Sequence, residues 1–463
     1  MRPEMQRRKP HANSGTGIYK GHLTDKMSQE NIQVQDPCAG GKTNEPESCQ
    51  TKCLAATVPG VISSRACVLY GARWVLAPIQ NVIHLIHGPI DCAYYSGTVR
   101  RKSYEVFSTD MREEDVIFGG SGKLERSIRD AIMLRPGSDA VLVYSTCTTG
   151  LIGEDIEKAC REAEEKHGIP VAPVNCSGFR GESQKNGHDE AAKVIYERFM
   201  SRCKPGIIKN GVNILGEFNM GGDLKVIESM LGALGINVIC AVSGKASVRN
   251  LALARGAELN IVHCRSTGGM LAKYMEQDNG IPQIKASFFG IEENSSSLKE
   301  VGRFFRVKDA EEYVSKEAAK TREAIKPYAS VLSGKKIAMF FGASRMASMT
   351  RAFRELGMDV VFAGSQYGSK GDYAEAQSKL EKTTVMLDDA GLDELCGFLR
   401  KTGPDLMVGG TREKYAAHKM GIPFLLFPQI DLPYAGYSGF VNLARDIALT
   451  VRAPVWGTIG GLK

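Results

Sequence analysis

Short apolar runs alternate with polar, helix-spaced stretches along most of the chain. Residues 140–144 (AVLVY) form one such run, followed by the loop-like STCTTGLIG. Residues 154–167 then carry the Glu- and Lys-rich spacing of a solvated helix, Gly168 stops it, and 169–174 read as the next strand. The same order recurs twice. Residues 212–215 predict a strand, EFNMGGD a turn, 224–234 a helix and 238–242 a strand. Residues 336–341, GASR, 346–356 and 360–363 repeat it. Both later helices end in Leu-Gly-(Ile or Met)-(Asn or Asp)-Val, a helix stop followed by strand entry. The prediction is an α/β protein of three Rossmann-like domains with parallel sheets. Parallel strands with short loops bind ligands at their carboxyl ends.

The expected boundaries are 57–205 for the first domain, 206–330 for the second and 331–463 for the third. Residues 1–56 lack periodicity and predict a flexible arm. The polar helical stretch 292–326 predicts a connector between the second and third domains. A length of 463 residues agrees with three domains at about 150 residues each.

Composition narrows the classes. The chain is 43% hydrophobic and 24% charged, as in an ordinary globular protein. No apolar stretch approaches the ~18 residues of a membrane span, and no secretory leader is evident, which predicts a cytoplasmic protein. The net charge of +7 is small, and its basic residues form no long tracts with aromatics, so nucleic-acid binding is not expected. No dinucleotide loop, phosphate loop, nucleophile elbow or HExxH motif occurs, so ATP hydrolysis and nicotinamide chemistry are not expected here.

Twelve cysteines carry the chemistry that remains. No CxxC pair occurs, so any metal site must gather ligands from distant segments. Cys38, Cys49 and Cys53 read as bystanders in the arm. Cys160, Cys176, Cys203, Cys240 and Cys396 read as small buried hydrophobes in or beside regular elements. Cys67, Cys92, Cys147 and Cys264 differ. Cys147 and Cys264 follow strands, Cys92 lies in the tight turn HGPIDC, and Cys67 precedes an apolar stretch opened by Gly71. Arg345 follows the third-domain strand. His87 is expected to bond the turn after NVIHLIH. His188 and Gln184 share one face of a turn, where structural use is expected from spacing alone.

The segments SRACVLYGARWVLAPIQNVIHLIHGPIDCAYY, FSTDMREEDVIFGG, VYSTCTTGLIGEDIE, GEFNMGGD, VHCRSTGGM, SFFGI and KMGIPF, in that order, resemble the nitrogenase component 1 family. The resemblance covers about residues 57–456 and is closest to the family's α-type subunits. It implies that Cys67, Cys92 and Cys147 hold an iron–sulfur cluster, of four irons or more, at a subunit interface. A partner supplies the remaining thiolates. It implies that Cys264 anchors an iron–sulfur cofactor of the iron-molybdenum type or its precursor. It places Arg100, Gln184, His188, Arg345 and Lys419 around that cofactor. The implied assembly is an α2β2 heterotetramer served by an ATP-dependent iron protein.

Two departures matter. Where catalytic α-subunits carry a histidine for the far end of the cofactor, LPYAGYSGF has Ala435. A methyl group binds no metal, which points to the family's cofactor scaffolds, where a NifE-type α subunit pairs with a NifN-type β subunit. Against this, SGTVRRKS replaces the segment expected in such scaffolds after the second cysteine. The alternative implied is a catalytic α-type subunit of a nitrogenase-like reductase, for example methylthio-alkane reductase.

Overall fold

Three sheets, each wholly parallel, carry the fold. The computed structural model describes residues 66–101, 104–179, 183–365, 368–388, 391–428 and 431–460. The expected arm at 1–56, with Cys38, Cys49 and Cys53, lies outside the described residues. The first sheet is ordered Phe107–Ser108, Val82–Ile86, Ala140–Tyr144, Val171–Val174. The second is ordered Gln283–Lys285, Leu259–Val262, Gly211–Leu215, Asn237–Val242. The third is ordered Val385–Asp388, Asp359–Ser365, Lys336–Phe340, Leu406–Gly409, Phe424–Leu426.

Each sheet starts in its interior and winds outward both ways. The winding reverses between Val82–Ile86 and Ala140–Tyr144, between Gly211–Leu215 and Leu259–Val262, and between Lys336–Phe340 and Leu406–Gly409. Connections leaving such neighbouring strands diverge to opposite faces and open a crevice at the carboxyl ends. All five residues of Ala140–Tyr144 are buried, as expected of a strand covered on both faces.

Helix signals held with small shifts. Ile156–His167 is capped by the Asp155 side chain, which accepts from the Lys158 N–H at 2.9 Å, and ends at Gly168 with φ +69°. The expected start at Glu154 is corrected. Glu154 stays outside the helix, and its carboxylate accepts from the Gly120 N–H and pairs with His87 at 2.7 Å. STCTTGLIG is not wholly loop, because Cys147–Ile152 forms a short helix opened by the Thr146–Thr149 capping box.

The stretch 292–326 is two helices, Ile291–Phe304 and Ala310–Leu332. They are more than a connector. Ala310, Val314, Ala318 and Ile325 join one apolar cluster that runs from Val212 on the second sheet to Ala448 near the C-terminus. Their inward side chains are mostly small and widely spaced, so the segment reads as polar. The described residues thus share cores across sheets. No helix among them is long and apolar enough to cross a membrane.

Cys160, Cys176 and Cys240 are buried. Cys203 and Cys396 are only partly buried, against expectation. Cys203 ends a helical turn at a loop, and Cys396 stands one step round from Leu395 and Leu399, which face the core.

Candidate functional site

The crevices of the three sheets hold the chemistry. In the first, Ile86 is followed by the buried His87. Its Nδ1 meets Thr109 Oγ1 at 3.1 Å and its Nε2 meets Glu154, which ties down the turn as expected. Cys92 rides on the next helix, Ile90–Gly97. Cys147 follows the neighbouring strand, and its Sγ accepts from the Gly178 N–H at 3.4 Å. Cys67 caps the helix Val68–Leu76, accepting from the Tyr70 N–H at 3.4 Å.

These three thiols feel one another. Desolvation pushes the Cys92 thiol up, and the charges of Cys67 and Cys147 push it further. Desolvation and then Cys147 raise Cys67, against the Tyr70 N–H. All three remain at least partly open to solvent. No three His, Cys, Asp or Glu side chains among the described residues come close enough to clasp one metal ion. Thiolates are the donor type that iron–sulfur groups take. Cys176 backs the group from the apolar side. Burial raises its thiol well above the ordinary value, followed by Glu190 and the charges of Cys67 and Cys147.

A cavity of about 490 Å³ opens between the first and third crevices. Tyr70, Trp74, Arg100 and Gln184 line one side, and Phe341 and Phe427 the other. The helices Val68–Leu76 and Gln184–Val194 cross very closely beside it. A Cβ on Gly71 would stand 2.1 Å from the Gln184 carbonyl oxygen, and one on Gly187 2.1 Å from that of Val68. Glycine at both positions lets the two backbones touch.

Cys264 follows the strand Leu259–Val262 by two residues, at the head of the helix Arg265–Asn279, and is buried. Its Sγ lies 3.0 Å from Ser344 Oγ of the third crevice and 3.6 Å from Thr267 Oγ1. Thr267 Oγ1 meets His188 Nδ1 at 3.2 Å, and His188 Nε2 meets Gln184 Nε2 at 3.4 Å. A polar chain thus runs from thiol to amide across two elements, the helices Arg265–Asn279 and Gln184–Val194. Burial, then the Lys185 and Arg100 charges, push His188 down to about 3, so the ring is neutral near pH 7.

Two guanidinium groups flank one ring. Arg100 and Arg345 stand 5.0 and 4.9 Å from the Phe218 centroid. Arg100 holds a left-handed backbone, φ +58°. Its Nε and Nη2 donate to the Trp74 carbonyl and its Nη1 to that of Phe218 at 3.0 Å. Burial pushes it down to about 10, with Arg345 adding to this against the pull of Tyr104 and Glu217. Behind them lies the buried Glu217, 3.1 Å from His263 Nε2 and 3.9 Å from Arg345. Burial alone raises Glu217, but His263 and Arg345 outweigh it and hold the carboxyl down at about 2.

Ala435 is fully buried at the head of the helix Gly436–Arg452. Its N–H and that of Tyr434 donate to Asp223 Oδ1 at 2.8 and 2.7 Å. Burial and then the Glu217 charge push Asp223 up to about 7 from 3.8. The folded state therefore binds the extra proton between about pH 4 and 7, and stability falls as pH climbs through that window. Asp223→Asn, a fixed neutral acceptor, is expected to flatten that fall. Denaturant midpoints across a pH series check it, and parallel slopes for variant and wild type would refute it.

Sequence reading missed Glu217, Phe218, His263, Ser344 and Thr267. Only the acid beside the glycines of EFNMGGD gave a local signal. Lys419 stands apart from the other site candidates. It is exposed at the C-terminal end of the helix Thr411–Lys419, whose opposite end, at Thr411 and Arg412, lines the cavity. Seven residues of helix put about 10 Å between Arg412 and Lys419 along the axis.

A family model described as nitrogenase component 1 type oxidoreductase matches residues 67–452. The chain is 40% identical to the nitrogenase iron-molybdenum cofactor biosynthesis protein NifE of Clostridium pasteurianum, across 95% of this chain and 99% of that one. It is 32% identical to a nitrogenase molybdenum-iron protein alpha chain of Methanococcus maripaludis, across 93% of this chain and 94% of that one. The solved structure of nitrogenase Cp1 at pH 6.5 is similar with a TM-score of 0.81 and 27% identity, covering 88% of this chain and 92% of that one.

Proposed function

The chain belongs to the nitrogenase component 1 type oxidoreductase family, and from that premise we propose that it is a scaffold subunit. On it a precursor of the iron-molybdenum cofactor is bound, completed and released. The observation that carries the reading is the pairing of Cys264 with Ala435. Cys264 is a buried thiol, while Ala435, at the position expected to supply the second ligand, is a buried methyl. Cargo attached at a single protein ligand stays exchangeable.

Cys67, Cys92 and Cys147 would hold the resident iron–sulfur cluster at the boundary with a NifN-type β subunit in an α2β2 assembly. Soft thiolates select such a group. Bound there, the cluster supplies electrons that an ATP-driven iron protein delivers. The chain's own residues receive the cargo. Cys264 provides the thiolate, with Ser344 and Thr267 as its hydroxyl neighbours. Neutral His188 and the Gln184 amide offer hydrogen bonds to a sulfide edge. Arg100 and Arg345 offset the negative charge of the cluster and of any carboxylate ligand, since a buried anion without cations is costly.

Retention of Arg100, Gln184, His188 and Arg345 favours a second reading, a catalytic α-type subunit of a nitrogenase-like reductase. One experiment separates the two. The assembly is purified anaerobically with its partner and iron protein, then offered apo-nitrogenase or small substrates. Transfer of cofactor to apo-nitrogenase supports the scaffold, and substrate turnover rejects it. Within the scaffold reading, Arg345→Ala is expected to lower cargo loading severalfold. Lys419→Ala, at an exposed site, should leave loading unchanged and stability within about 0.5 kcal/mol. Metal content per chain reports both, and equal loading in Arg345→Ala and wild type would end the charge argument.

A further inference from the structure

We propose that Arg73 is the built-in counter-cation of the interface cluster, a positioning residue whose charge holds the cluster's reduction potential up. The proposal rests on the reading of Cys67, Cys92 and Cys147 as cluster ligands. Arg73 lies in the last turn of the helix Val68–Leu76 and is fully buried. None of its Nε, Nη1 and Nη2 atoms has a partner in hydrogen-bonding geometry, and the groups its charge acts on, the Tyr144 hydroxyl and the His84 ring, are not anions. Its guanidinium carbon stands 5.8 Å from the Tyr144 ring centre. The Tyr144 hydroxyl is itself engaged by His84 Nδ1 at 2.8 Å. The negative end of its own helix supplies only a partial charge. A buried, unpaired full charge is among the costliest defects a core can carry.

The elements around Arg73 lead to the thiols. Its helix begins at the Cys67 cap, six residues or about 9 Å away along the axis. Tyr144 ends the strand that delivers Cys147 three residues later. Cys176, which feels Cys67 and Cys147, lies in the same apolar cluster as Tyr144 and registers on its hydroxyl. Arg73, Tyr144 and Cys176 are all buried, so on the cation's side of the group charge is weakly screened. The missing anion is the thiolate-ligated cluster. A fixed cation favours its reduced, more negative state, and net charge and surroundings are the levers that set such potentials.

The test uses the full chain assembled with its partner subunit. Arg73→Met and Arg73→Gln remove the charge, and Arg73→Lys keeps it. Redox titration of the interface cluster should give a more negative midpoint in both neutral variants and a midpoint near wild type for lysine. Iron content should be equal in all. Stripping the iron should cost wild type more stability than Arg73→Met, since only wild type then strands a charge. Coincident midpoints with full iron overturn the proposal. A neutral variant that unfolds even when iron-free, where no anion awaits the cation, also overturns it in favour of packing. Wild type devoid of interface iron would instead fail the scaffold reading itself.

Discussion

Cys264→Ala is expected to lower cargo bound at the second crevice by roughly tenfold or more, the scale on which supporting groups alone change metal affinity. Iron at the first crevice should stay in place. The variant removes the thiol that reaches Ser344 at 3.0 Å. Among the described residues the other buried thiols, Cys160, Cys176 and Cys240, sit in apolar clusters and offer no replacement. The fold should tolerate the change, because the loss is one sulfur atom and neither hydroxyl neighbour is stranded. Thr267 keeps His188, and Ser344 is 8% exposed to water. Two metal pools should therefore separate in anaerobically purified protein, the larger one lost and the interface one kept. An unchanged ratio of both would remove Cys264 as the anchor.

Gly187→Val should have the largest effect on stability. Its first carbon would stand 2.1 Å from the Val68 carbonyl oxygen and 2.6 Å from the Ala72 nitrogen. Backbone atoms cannot turn aside as a side chain does. The helices Val68–Leu76 and Gln184–Val194 must separate, at a cost of about 3 kcal/mol or more. Cys67 at the head of one and Gln184 at the head of the other would move with them. Thermal unfolding and interface iron should fall together. Gly232→Ala is the control. It lies in the helix Asp223–Ala233 with nothing within 4 Å, and should gain up to about 1 kcal/mol. A Gly187→Val protein that melts like wild type would show that the crossing yields.

The strands and the loops that follow them were legible because apolar runs and glycine stops are local signals. The four cysteines in question stood out for the same reason, each near the edge of a strand or an apolar stretch. Their grouping was not local. Spacing alone left His188 and Gln184 as structural residues, and only the fold joins them to Cys264 through Thr267. Glu217 and His263 were invisible for a different reason. Their importance lies in burial and in one another's charge, which no single segment records. Arg73 did leave a trace, as the lone cation in the apolar VLYGARWVL, but a long arginine stem can lie along such a stretch with its head in water, so burial of the charge is not a local signal. Lys419 shows the reverse case. The motif KMGIPF fixed its place in the chain, while the helix turned its end to solvent.

The helix Val68–Leu76 spans nine residues, about 14 Å. Cys67 stands at its first end, the Trp74 carbonyl grips Arg100 near its last, and Gly71 presses on the Gln184 backbone between them. Such a strut does not flex along its axis. If Cys67 holds a metal as proposed, a displacement of its sulfur would be passed along this strut to the Arg100 guanidinium in the cavity, with no loop needing to move.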